Sequence, residues 1–169
     1  LNSVLLQHHQ VNNNAVLPGA SVIEFMAAAT QYLQPNKNYR LSQIVFSRPL
    51  SVAASSEVWT QVLITKDIQH NQTLRFYLRS SLENSGTESH WKDNATASIT
   101  EATLNNPTAL DIGKITARCS QLLSAEQIYQ GFADAGLNYG EALQALTEVK
   151  VGENEVLAQL QLPDIWLES

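Results

Sequence analysis

The feature that most constrains this chain is a helix with no polar face. Between Ala20 and Leu33, Val22, Ile23, Phe25, Met26, Ala27, Ala28 and Ala29 run nearly all the way round, and Glu24 is the only charge. A surface helix carries one apolar stripe, so an apolar surround predicts burial on most sides. Pro18-Gly19 opens the helix, since proline is favoured in the first turn, where its missing N–H costs nothing. Gln34-Pro35-Asn36 ends it.

A helix of that kind needs a wrapping, and strand material follows it. Arg40 to Val52 carries Ile44-Val45-Phe46, and Glu57 to Ile68 carries Val58, Val62 and Ile64. Thr73 to Leu82 alternates, with Leu74, Phe76, Leu78 and Leu82 on one face and Arg75, Tyr77 and Arg79 on the other. His90 to Ile99 gives a fourth run through Trp91, Ala95, Ala97 and Ile99. One buried helix followed by long antiparallel strands is an α+β pattern, a sheet wrapped around a helix.

Asn105-Asn106-Pro107 breaks the pattern and marks a boundary, with residues 1–104 before it and 105–169 after. Beyond it, Ser124 with Gln127 three residues on is a capping-box signal. The helix it opens carries Ile128, Phe132 and Ala135, with Gly136 placed to terminate it. Tyr139-Gly140 leads into Glu141 to Leu146. Two strands follow, Thr147 to Val151 and Glu155 to Leu162, joined by Gly152-Glu153-Asn154. This second unit has an entering helix and two strands but no second apolar helix, so the chain is expected to hold one full unit and about half of another.

Composition removes several function classes. Ten Lys+Arg against sixteen Asp+Glu, a net charge of −6, argue against a nucleic-acid partner. No apolar run reaches the roughly 18–20 residues that span a bilayer, so no membrane partner is expected. The single Cys119 excludes an intrachain disulfide and fits a reducing compartment, the cytoplasm. His70, His90 and Cys119 have no neighbour at ligand spacing, so no metal is expected.

In order along its whole length the chain resembles the dehydratase domains of modular polyketide synthases, which are double hot-dog folds. The family's first signature is His, three residues, Gly, four residues, Pro, then usually Gly. His9, Asn13, Pro18 and Gly19 fall on that spacing, with Asn13 replacing the glycine. The run Val16 to Ala29 looks like the hot-dog helix, Phe46-Ser47-Arg48-Pro49-Leu50 resembles the start of a family strand, and Trp91 sits where a strand tryptophan is common. The second signature, Tyr-Gly-Pro-x-Phe-Gln, is present as Tyr139-Gly140-Glu141-Ala142-Leu143-Gln144, with Pro and Phe both changed, and Ser124 to Tyr129 also fits. The opening with Leu-Pro-Gly most resembles dehydratase-like domains of trans-acyltransferase assembly lines. The family's second catalytic residue, an Asp in Asp-x-x-x-Gln or Asp-x-x-x-His, has no counterpart: Asp164 is followed four residues on by Glu168 and stands directly after a strand.

The resemblance implies dehydration of a carrier-bound 3-hydroxyacyl thioester to an enoyl thioester. That reaction removes a proton beside the carbonyl and protonates the leaving hydroxyl. Histidine, with an unperturbed pKa near 6.5, can be the base at neutral pH, and His9 has the family spacing where His8 does not. The first amides of the apolar helix, after Pro18, would meet the developing oxyanion, with Gly19 leaving room for the thioester. Pro18, Gly19, Tyr139 and Gly140 are therefore the expected substrate-binding residues. No cofactor is implied, because the acyl chain rides on the phosphopantetheine arm of an acyl carrier protein. Partners would be that carrier and neighbouring synthase domains, with room for a homodimer.

A carrier protein is usually acidic, so a domain at −6 would meet it through a local basic patch, for which Arg40, Arg48, Arg75 and Arg79 are candidates. Two other functions fit the same residues. A domain with the base but no acid would shift a double bond, close a ring by oxa-Michael addition or assist branching. An inactive domain would serve as a dimerisation or scaffolding element. A free-standing hot-dog thioesterase fits less well, because the chain continues into a second unit.

Overall fold

The computed structural model describes residues 4–53, 57–67, 73–82, 90–103 and 107–167. Val4–His8 forms α1, followed by the short strands His9–Val11 (β1) and Asn14–Ala15 (β2), and α2 spans Gly19–Leu33. Strands β3 (Tyr39–Phe46), β4 (Trp59–Lys66), β5 (Thr73–Ser81) and β6 (Lys92–Glu101) follow. The chain continues through α3 (Ile112–Arg118), β7 (Gln121–Ser124), α4 (Ala125–Asp134), β8 (Leu137–Tyr139) and a 3-10 turn at Glu141–Leu143. Strands β9 (Leu146–Val151) and β10 (Val156–Leu160) and a further 3-10 turn at Asp164–Trp166 complete it. Contacts divide these elements into two compact units, residues 16–106 and residues 1–15 with 107–169.

In the unit from 16 to 106 the four long strands form one antiparallel sheet in the order β3-β6-β5-β4. The alternation of β5 does what its sequence requires: Phe76 and Leu78 are fully buried, while Tyr77 between them and Arg75 and Arg79 on either side are not. Val22 and Met26 of α2 join Leu50, Phe76, Leu78, Ala95, Ala97 and Ile99 in one core. The short alanines of β6 leave volume in that core for Phe76 and Met26.

The helix itself differs from expectation. Its buried positions are Val22, Met26 and Thr30, with Ala29 packed beside them, a single i, i+4, i+7, i+8 stripe. Met26 is fully buried while Phe25 is 40% exposed and Ile23 39% exposed. The sheet is one layer and covers one face, so the remaining apolar face is not buried within the described residues. Pro18 also lies one position earlier than expected, at the N-cap, with its carbonyl accepting from the Ser21 and Val22 amides at 3.0 and 3.3 Å.

Smaller differences share one cause, the points where ladder pairing stops. Phe46 ends β3 and does not start a strand: beyond it the Ser47 and Arg48 amides turn to the Asn94 carbonyl, and Val16 bridges Ser51. β5 ends at Ser81, leaving Leu82 78% exposed, and Trp91 immediately precedes β6. Asn105 and Asn106 lie outside the described residues, as do His70 and Glu168.

In the other unit, β2-β1-β8 and β10-β9-β7 are three-stranded antiparallel sheets. Residues 1–15, which the sequence groups with the first hot-dog up to residue 104, group with 107–169 because β1 finds its ladder partner in β8. The capping box forms as expected: Ser124 Oγ accepts from the Gln127 amide, and Gln127 Oε1 accepts from the Ser124 amide. Gly136 follows the helix at φ +82°, a backbone setting that favours glycine. The helix α3 and strand β7 had no periodic signal. Asp111 caps α3, and Arg118 at its end donates twice to Glu155, the Nη2–Oε2 arm being 2.8 Å. That guanidinium holds the Glu155 carboxyl below the usual carboxylate range. Among the described residues no helix is long and apolar enough to cross a membrane, and Cys119 is buried.

The core of the first unit sets one expectation. Phe76→Ala should destabilise by about 3–5 kcal/mol, the usual range for emptying a buried aromatic site. Val45→Ala, at a 53% exposed position on the same sheet, should move stability far less. Urea unfolding followed by tryptophan fluorescence compares the two; equal losses would contradict this core.

Candidate active site

His9 is the first residue of β1, and its antiparallel partner on β8 is Tyr139. The two ring centroids are 5.5 Å apart, with planes inclined by 51°. Tyr139 in turn meets Phe132 and Tyr129 of α4 edge-on, at 5.4 and 6.4 Å. Capping by Ser124 fixes where α4 starts, and positions 129 and 132, three apart, then share the helix face that meets β8. A histidine whose partner ring is braced by two further rings has few orientations open to it.

The turn at the other end of β1 fixes the register. Asn12 and Asn13 join β1 to β2 as a two-residue loop, with φ of +48° and +64°. Positive φ at both central positions is the setting of a type I′ hairpin, where Asn and Gly are favoured. The departure at Asn13 from the glycine of the first signature is therefore conservative: asparagine is the side chain that best tolerates this backbone. The Asn12 amide donates to the Gly136 carbonyl at 2.8 Å, so the hairpin and the end of α4 are tied together.

Tyr139-Gly140 through Gln144 is a closed turn. The Leu143 amide donates to the Gly140 carbonyl at 2.9 Å, and Gln144 Nε2 donates to the Tyr139 carbonyl at 2.8 Å. This gives the signature glutamine a structural purpose: its side chain closes the loop that begins at the tyrosine. Tyr129 Oη accepts from the Leu146 amide at 2.8 Å, and Trp166 Nε1 donates to the Ala142 carbonyl at 2.7 Å. An open groove of about 720 Å³ runs beside Tyr139, bordered by Tyr129, Gln130, Ala133 and Gln144.

The structure thus brings together His9, Tyr139 and Gly140. Pro18 and Gly19 stand at the head of α2 in the other unit, where a Cβ on Gly19 would come within 3.3 Å of the Phe46 ring. The space beside Gly19 within its unit is taken by a side chain. Asp164 starts the 3-10 turn after Pro163, four residues beyond the end of β10, and borders a cleft with Glu141 and Ile165. No group of three or more metal-ligating side chains occurs among the described residues. Sequence reasoning missed Tyr129 and Trp166. Tyr129 was readable from its spacing to Phe132, whereas Trp166 carries no local signal.

Family models match both parts of the chain: "Polyketide synthase dehydratase domain" over residues 2–81 and "Polyketide synthase dehydratase N-terminal domain" over residues 107–166. The chain belongs to the polyketide synthase dehydratase family. Polyketide synthase PksM of Bacillus subtilis is 27% identical over 166 residues, covering 94% of this chain and 4% of the relative. A trans-AT polyketide synthase dehydratase domain from Brevibacillus brevis superposes with a TM-score of 0.87 at 24% identity, covering 99% of this chain and 59% of that one. The dehydratase domain of the CurJ module of curacin polyketide synthase gives 0.81 at 28% identity, covering 94% and 53%. The fold is the α+β hot-dog architecture, and the chain spans little more than half of those solved dehydratase domains and a few per cent of the synthase.

The hairpin geometry makes a prediction for this member of the family. Asn13→Gly should keep or raise stability, while Asn13→Val should lose about 1–2 kcal/mol, the penalty for a side chain forced into the left-handed region. Thermal unfolding of the two variants beside the parent protein tests it, and an unaffected Asn13→Val would contradict the turn.

Proposed function

We propose that this chain carries the base of a dehydratase that converts a carrier-bound 3-hydroxyacyl thioester to the enoyl thioester in polyketide assembly, with His9 as general base. The observation that supports this most is the placement of His9 at the register position of Tyr139, between a hairpin turn and a ring cluster that both restrict it. Family membership supplies the reaction class. Inactive forms of the CurJ and CurK dehydratases carry a His-to-Phe replacement, and another inactive CurK form carries Asp-to-Asn, which suits a His–Asp division of labour.

In this reading His9 takes the proton from the carbon beside the thioester carbonyl. The electrons pass through the enolate, the C3–O bond breaks, and the hydroxyl leaves as water with a proton from an acid. The acid is a carboxylic acid of the family's Asp-x-x-x-Gln or Asp-x-x-x-His pattern; Asp164 is not assigned that role. For the enolate oxygen the reading calls for backbone amides at the head of a helix, since the first amides of a helix have no partner within it. Tyr139 and Gly140 border the acyl chain. The acyl chain arrives on the phosphopantetheine arm of a carrier protein, and the domain needs no cofactor of its own. Of the basic residues, Arg75 pairs with Asp67 and Arg79 with Asp93, each at 3.0 Å, so their charge is already balanced. Arg40 and Arg48 are the better candidates for the carrier.

His9→Ala in the intact protein should slow water loss from a 3-hydroxyacyl carrier-protein substrate roughly 10²–10⁴-fold, the usual worth of a positioned acid–base group. Mass spectrometry of the acyl carrier follows the 18-dalton loss expected for water. An unchanged rate would rule out His9 as the base. A shifted double bond or a closed ring in place of water loss would instead assign base-only chemistry to the same residue, and a parent protein inert on all these substrates would favour the scaffolding role.

A further inference from the structure

His8, the neighbour of the proposed base, lies outside the family spacing and outside the mechanism above, yet it contacts the Tyr139-Gly140 turn with both its backbone and its ring. Its carbonyl accepts from the Gly140 amide at 2.8 Å. Its imidazole Nδ1 accepts from the Ala142 amide at 3.2 Å, joining residues 134 apart in sequence. A Cβ added at Gly140 would fall against that same ring, 2.8 Å from Cγ, overlapping Nδ1 more closely still, and 3.0 Å from the His8 Cβ. Ala142 is 3% exposed, so its N–H relies on an acceptor within the protein, which His8 Nδ1 supplies. The Ala142 carbonyl is held from the other side by Trp166 Nε1 at 2.7 Å.

These contacts extend the pairing of β1 and β8 by one step beyond its last rung. The ladder has three pairs, His9↔Tyr139, Gln10↔Asn138 and Val11↔Leu137, and His9 sits at its end, where a short ladder frays first. On one side of the His9 rung lies the hairpin; on the other lie the His8 contacts to Gly140 and Ala142.

We propose that His8 is a positioning residue: its Nδ1, by accepting from the Ala142 amide, and its ring, by filling the space that Gly140 leaves, clamp the Tyr139-Gly140 turn to the strand of His9 and so orient the base. The proposal rests on the reading of His9 as the base. It requires His8 to be the neutral tautomer with the proton on Nε2, because Nδ1 is the acceptor. Asparagine can offer an oxygen near the place of Nδ1, and leucine can fill the space but cannot accept.

The test uses the intact protein with a 3-hydroxyacyl carrier-protein substrate. His8→Leu should lower kcat roughly 10–100-fold with KM near the parent value, as misorientation of a catalytic group does, and His8→Asn should recover most of that loss. Gly140→Ala should lower kcat to a similar extent in the parent protein, and its further effect on a His8→Ala background should be smaller, because the ring it strikes is gone. In the ¹⁵N-histidine-labelled parent protein, His8 should show the Nε2–H tautomer, a measurement that needs no variant to fold. A parent-like kcat for His8→Leu, equal damage in His8→Asn and His8→Leu, or an Nδ1–H tautomer would each overturn the proposal. If His9→Ala is inactive while His8→Leu is fully active, only this proposal fails; if His9→Ala is fully active, the reading of the base fails and takes the proposal with it.

Discussion

The pairing of His9–Val11 with Leu137–Tyr139 is the constraint on which the candidate site depends, and by backbone energetics alone it is weak. A net backbone hydrogen bond contributes about 0.5–1.5 kcal/mol, while fixing one residue's backbone costs about 1–2 kcal/mol. Three rungs between distant segments do not hold themselves together. What holds them is lateral: the Asn12 amide on the Gly136 carbonyl, the ring cluster of Tyr129, Phe132 and Tyr139, and the His8 contacts to Gly140 and Ala142. The base and its surroundings are thus specified by side chains and turns more than by the sheet that carries them.

That division explains what was legible in the sequence. The long elements carry periodicity, and periodicity places them: β5 buries Phe76 and Leu78 as alternation requires, and α4 begins where its capping box says. The short elements β1, β2, β7 and β8 have two to four residues, too few for any period to register. Their pairing is set by a partner more than a hundred residues away in the case of β1 and β8, which local pattern cannot reveal. The His9 and Tyr139 elements were visible only as separate signatures; that they share a rung is a fact of tertiary structure. The helix α2 shows the converse error. Its composition predicts burial on most sides, but burial depends on how many layers are present, and one sheet buries one stripe.

Departures from the family signatures also become physical. Asn13 occupies a left-handed position of a two-residue hairpin, so its difference from glycine changes little in the backbone. Leu143 stands where the signature has Phe, within a turn fastened by the Gly140 carbonyl and by Gln144, neither of which needs an aromatic ring. The turn survives the substitution because backbone and amide contacts close it.

Three glycines in this chain answer to three different demands, and separating them says which parts of the motifs are structural. Gly136 has φ +82° and is needed for its torsion, besides lying where a Cβ would strike the Asn12 side chain. Gly140 has φ −76° and ψ 172°, a setting any residue adopts, so torsion gives no reason for it. Its reason is space, and the space belongs to His8. Gly19 opens a helix beside the Phe46 ring, where a Cβ at 3.3 Å would ask for only a small adjustment. A glycine demanded by torsion is indifferent to its neighbours' identity, whereas one demanded by space is coupled to them. Position 140 is therefore tied to position 8 in a way that position 136 is not tied to any single ring, and a side chain at 140 should be tolerated better where the ring at 8 has been removed.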